Sequence, residues 1–285
     1  MPSRSGAFLP RGARERPGHP CRSGDRGGGR RRAVSFVLRA WPEAAEIGRA
    51  EFNAGRYFEA HEHWEEIWHG ASGPARDFWQ GLIQVAGALL KVQRGEPTGA
   101  LKLFDRGLAK LEPLVPAGAP VDLRALIGDS RQIRAEVEAD PERVRQRRIP
   151  DERFPKLRTR AEVGGVALRS WPRRAEEGAV LFDAGKWWEA HEAFEAVMAE
   201  APGDEPLVYK AILQSGSALH KLSQGKEGPG RVLAENALRL FDWLSPITVP
   251  EDAGVHVEAV RATLRWILAQ GGLPDPVPRP RLHRP

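Results

Sequence analysis

At 285 residues the chain exceeds the roughly 100–150 residues of one ordinary domain and has room for two cores. Its formal charge of +5 suggests a nucleic-acid partner only until the charge is located: residues 1–32 hold nine arginines against Glu15 and Asp25, and the rest of the chain is slightly acidic. One cysteine, Cys21, excludes an internal disulfide framework and a cysteine metal cage. No run approaches the ~20 apolar residues of a membrane span, so a soluble, cytoplasmic protein with no membrane role is expected.

In chain order, residues 1–34 read as a basic tail too poor in apolar groups to fold. Two explanations carry weight: sequence translated ahead of a native start near Val34, or an arm that grips phosphates, which confines any nucleic-acid binding to residues 1–32. A signal peptide does not fit, because the apolar run Ala33–Leu38 is too short and lacks a small-residue cleavage site.

Residues 35–148 read as a helical domain. A first helix runs from about Pro42 to Ala54, with proline in the first turn and Gly55 as the stop. A second covers about Tyr57 to His69, a third about Pro74 to Arg94, a fourth about Pro97 to Glu112, and another follows Pro120. Strand signals are absent. The stretch 149–170, entered through Arg145-Gln146-Arg147-Arg148 and punctuated by Pro150 and Pro155, reads as a linker. Residues 171–270 then repeat the helical plan, and 271–285, too rich in proline to extend a helix, are expected to be a disordered tail.

The repeat is the decisive feature. Trp41-Pro42 recurs as Trp171-Pro172, Phe52 as Phe182, Gly55 as Gly185, Glu59-Ala60-His61-Glu62 as Glu189-Ala190-His191-Glu192, Glu65 as Glu195, Gln84 as Gln214 and Lys91 as Lys221, every pair separated by 130 positions. About eighty residues match in that register without a gap. The fold expected is therefore all-α: two tandem antiparallel helical bundles of about five helices each, packed as a pseudo-twofold pair that mimics a homodimer.

Chemistry concentrates on the second helix. At about 100° per residue, Phe58, His61, Glu62, Glu65 and Trp68 share one arc. On the third helix Gln80, Gln84, Gly87 and Lys91 share another, with Lys210, Gln214, Ser217 and Lys221 in the second copy. The small residue in that stripe permits close helix approach, so Gln84 and Lys91 are expected to face His61, Glu62 and Glu65 in a semi-buried network, with Trp68 beside it. His191, Glu192, Glu195, Gln214 and Lys221 would form its counterpart.

Three uses suit such a network: satisfying its own charges and fixing helix register, holding a small polar ligand or a protein partner, or catalysis with His61 as a general base oriented by a carboxylate. Metal binding is disfavoured. Glu65 stands where a zinc-protease helix has its second histidine, Gln84 is a poor ligand, and Lys91 would repel a cation. No cofactor is expected.

The run Phe52–Trp68, with Glu59-Ala60-His61-Glu62-His63-Trp64-Glu65-Glu66-Ile67-Trp68, followed by Arg76-Asp77-Phe78-Trp79-Gln80-Gly81-Leu82-Ile83-Gln84, resembles the prokaryotic family known as domain of unknown function 309. The second copy resembles it more loosely, with Asp183, Phe194, Met198 and Lys210-Ala211 in place of Asn53, Trp64, Trp68 and Gln80-Gly81. The resemblance implies a compact helical bundle with His61, Glu62, Glu65 and Gln84 as its characteristic polar set, and it transfers no activity. The function expected is that of a non-enzymatic binding or scaffold protein. A hydrolase-like enzyme and an Arg-tail nucleic-acid binder are the alternatives.

Overall fold

The computed structural model describes residues 36–284. The basic tail expected over residues 1–34, and the nucleic-acid reading attached to it, lie outside the described residues. The first copy contains α1 (Glu43–Asn53), α2 (Tyr57–Gly70), α3 (Gly73–Gln93), α4 (Pro97–Leu111), α5 (Leu123–Ala139) and a short α6 (Pro141–Arg145). The second contains α7 (Arg173–Asp183), α8 (Trp187–Glu200), α9 (Glu205–Ser223), α10 (Glu227–Leu244) and α11 (Glu258–Ala269).

Glycine ends the first helix of each copy in the same way. Gly55 and Gly185 sit at φ of 79° and 74°, a left-handed conformation that costs other residues energy. Each turn closes with the same pair of hydrogen bonds: Gly55 N donates to Phe52 O and Arg56 N to Glu51 O, as Gly185 N does to Phe182 O and Lys186 N to Leu181 O. These satisfy carbonyls the helix end would otherwise leave open.

The first core is built on Phe52, Tyr57, Trp64, Phe78 and Phe104. Trp64 lies against α1 at Gly48, where a Cβ would collide with the indole, and donates to Ala45 O at 3.3 Å. In the second copy Phe194 fills that place against Gly178, with a 3.1 Å approach to an added Cβ. The helices α3 and α4 cross closely at Gly81 and Gly107: a Cβ on Gly107 would stand 3.0 Å from Gly81 O.

Short strands are present, contrary to expectation. β1 (Phe36–Val37) pairs in parallel with β2 (Ala117–Gly118), and β3 (Val166–Ala167) with β4 (Ile247–Thr248). At two residues each they are too short for alternation to register in a sequence.

The expected linker and disordered C-terminal tail are both ordered straps. Ile149, Phe154 and Leu157 are buried in the first core, and Asn53 holds the segment: its Nδ2 donates to Leu157 O at 3.1 Å and its Oδ1 accepts from Leu157 N at 2.7 Å. At the same corner of the second copy, Asp183 accepts from Leu282 N at 2.6 Å and from His283 Nδ1 at 2.7 Å, while His283 Nε2 reaches Glu176 at 2.9 Å. Leu282 is fully buried. Proline excludes helix from such a segment but not an extended path along a bundle.

The copies meet through unlike faces, head to tail, in place of the pseudo-twofold pair expected. Val37 of β1 packs against the second core and Trp243 of α10 against the first. A Cβ on Gly118 would stand 3.0 Å from Leu240. Arg160, 3% exposed, donates to Ala117 O and Ala119 O at 3.1 and 3.2 Å and pairs with Asp204 just before α9. The like-for-like positions are open: Thr248 and Ala167 are exposed, whereas Gly118 is buried and Val37 half-buried. Where the second copy buries Leu207 and Leu240, the first has Asp77 and Lys110, half-exposed and ion-paired at 2.7 Å.

Candidate functional site

Burial of Tyr57, Ala60 and Trp64 turns the other side of α2 outward, and His61, Glu62 and Glu65 lie there. Their side chains are 32, 54 and 39% exposed. His61 Nδ1 stands 3.1 Å from Glu62 Oε1 and 3.8 Å from Glu65 Oε2. One ligand-capable atom from each residue falls within 4.8 Å of the other two, close enough to share a divalent cation, an ammonium or a guanidinium. In the second copy His191 Nδ1 lies 4.0 Å from Glu195, and Glu192 is exposed on the same helix.

The other half of the expected network is elsewhere. The Gln80-Gln84-Gly87-Lys91 stripe packs on α4, not on α2. A Cβ added to Gly87 would meet Leu103 at 3.3 Å, one on Gly107 would meet Gln84 at 3.2 Å, and one on Gly99 would meet Lys91 at 3.3 Å. Lys91 donates to Glu96 at 2.5 Å, across the α3–α4 turn, rather than to Glu65. The small residues do allow close helix approach, but the neighbour is α4. Gln84 Oε1 and its counterpart Gln214 Oε1 are buried with no hydrogen-bond partner. Lys221 is half-buried on the corresponding stripe of α9.

Trp68 is also committed to structure. The Arg76 guanidinium lies 3.9 Å from its ring centroid, and Arg76 Nη1 donates to Trp68 O at 3.2 Å, so the arginine both covers the indole and closes the end of α2. What surrounds the histidine instead is an aromatic residue one turn earlier. Phe58 and its counterpart Trp188 are 52 and 58% exposed. The Trp188 ring stacks on His191 at 5.7 Å and 12°, with His220 of α9 at 6.1 Å. Phe58 shares the arc of His61 in the sequence; periodicity placed it there without showing that nothing covers it.

Among the described residues, no helix is long and apolar enough to cross a membrane. No curated protein and no solved structure was found to match the chain. One family does, and it matches twice, over residues 46–103 and 175–232, each match spanning the first three helices of a copy and the start of the fourth. The chain thus carries two tandem domains of the family described as Domain of unknown function (DUF309).

Proposed function

We propose that the chain is a non-enzymatic binding or scaffold protein, working in the cytoplasm, that displays one recognition surface twice: Phe58, His61, Glu62 and Glu65 on α2, and Trp188, His191, Glu192 and Glu195 on α8. The observation that supports this reading is the outward placement of a large aromatic residue at equivalent positions of both copies. An exposed aromatic beside carboxylates is suited to anchoring a partner segment that carries lysine or arginine, the ring taking the alkyl stem or the cation and the glutamates the charge. The openness of the face weighs against catalysis, which needs a substrate held and water excluded.

A labelled peptide alternating leucine with lysine and arginine, titrated into the protein and followed by fluorescence anisotropy, tests the proposal. Saturable binding that weakens about tenfold in F58A/W188A and in E62Q/E65Q, and that weakens as salt rises, is expected. Binding indifferent to both sets of substitutions would overturn it. The 4.8 Å grouping of His61, Glu62 and Glu65 favours one rival, a divalent-cation site, which predicts instead that Zn²⁺ raises the melting temperature of the native chain and not of H61A.

A further inference from the structure

Between the start of α7, the end of α8 and the start of α9 lies a cleft of about 200 Å³, with Glu205 and Tyr209 buried inside it and Arg174 and Glu200 exposed at its rim. We infer that this cleft binds the ammonium group of a small apolar amine, with Glu205 as its counter-charge.

The buried carboxylate is the first argument. Glu205 is 6% exposed, and a carboxylate taken from water needs compensation. It receives little. Oε1 stands 3.4 Å from Arg169 N and 3.6 Å from Nε of the same residue, whose side chain is 76% exposed; both contacts are long for a charge-assisted bond. The first turn of α9 adds the favourable end of a helix dipole. Oε2 accepts no hydrogen bond among the described residues, and it is not sealed from solvent. A charged acceptor that is nearly buried and still reachable is what a bound ammonium requires.

The hydroxyl is the second. Tyr209 follows Glu205 by one turn on the same face of α9, and its Oη reaches Ser170 O only at 3.5 Å. Burial, then the negative charge of Glu205, push its pKa up to about 12. The hydroxyl therefore stays protonated, and its oxygen keeps lone pairs for a second N–H donor. Pro172, Val197 and Pro202 form the walls, which suits a short alkyl group. At the rim Arg174 and Glu200 oppose each other in sign, leaving Glu205 as the charge the interior presents.

The first copy shows that the fold does not need these groups. At the positions 130 earlier, Ser170, Arg174, Glu200, Glu205 and Tyr209 are replaced by Ala40, Ala44, Gly70, Ala75 and Trp79. There the larger indole of Trp79, 2% exposed, packs on Trp41 at 5.4 Å; in the second copy the smaller ring of Tyr209 packs on Trp171 at 5.8 Å. The cleft shares no residue with the α2 and α8 recognition faces, so the fate of one reading leaves the other standing.

Isothermal titration of the full chain with isopentylamine, leucine and isopentanol, at fixed ionic strength set with sodium chloride, is the test. One saturable site is expected for at least one of the two amines and none for isopentanol, which has the same alkyl group without the ammonium. Leucine adds a carboxylate: tighter binding of leucine that R174A abolishes identifies the ligand as an amino acid, and weaker binding identifies a simple amine. E205Q should weaken the site at least tenfold without lowering the melting temperature, because the amide keeps the shape and drops a buried charge. Y209F removes only a hydroxyl and should weaken it about fivefold, which keeps the test open should E205Q fold poorly. E200Q, at the rim, should stay within twofold. Saturation by neither amine, equal binding of isopentanol, affinity within twofold of the native chain in E205Q and Y209F, or a loss in E200Q as large as in E205Q overturns the inference.

Discussion

The two copies share a frame and differ in what covers them. On one face of the first, Asp77 and Lys110 form a half-exposed ion pair; 130 positions on, Leu207 and Leu240 are buried, Leu240 against Gly118 of the first copy. The helices, their glycine stops and the packing of α1 on α2 recur as α7 on α8. Surface polarity has followed the neighbour: a face that meets water keeps its charges, and a face that meets protein has become apolar. Duplicated domains packed through unlike faces occupy two environments, and each face carries residues suited to its own.

Exchanging the residues tests this most severely. Leu240→Lys places the first copy's residue in the covered face and should cost on the order of 3–4 kcal/mol, from the lost packing and the buried charge, read as a lower urea midpoint. The reciprocal Lys110→Leu removes only a surface ion pair and should stay within about 1 kcal/mol. Equal effects would mean that the two faces are not in different environments.

A smaller effect separates the two straps. His283, held by Asp183 and Glu176, has no histidine counterpart at the first corner, where Asn53 stands for Asp183 and Glu46 pairs with Arg49. Burial opposes its charge, but hydrogen bonds to Asp183 and then Glu176, with their negative charges, outweigh it and raise its pKa above 6.5. A raised histidine pKa stabilises the fold fully below the unfolded value and loses that contribution as pH rises through the folded one. Melting temperature should therefore fall as pH climbs past about 6.5 in the native chain, and this component should be absent from H283A. An unchanged profile in H283A would remove the proposed difference between the corners.

The smallest effect concerns what both copies share. Gln84→Met and Gln214→Met replace a buried amide oxygen that has no donor with a chain of similar volume, and each should shift stability by less than about 1 kcal/mol. A larger loss in one copy alone would show that its amide holds something the other does not.

The helices were legible because their ends are chemically marked. Gly55, Gly95, Gly185 and Gly225 all adopt positive φ at the positions where the apolar period stops. The polar arc of α2 was legible too. Its partner was not, because periodicity assigns a residue to a face but does not say which of two neighbouring helices fills that face. The Gln84 stripe was matched with α2, when Gly99 and Gly107 of α4 already marked where a close neighbour sits. The straps escaped for a different reason: their order rests on a few hydrogen bonds to Asn53 and Asp183 and on single buried side chains such as Leu157 and Leu282, none of which has a period.

A contact between unlike faces has no built-in end. If every copy offered both surfaces, a third would dock on the second as the second docks on the first, and the chain would seed a filament. The Asp77–Lys110 pair makes the first copy's version of that face unfit for an apolar partner, so a further copy would find there no equivalent of the surface on which the first copy sits.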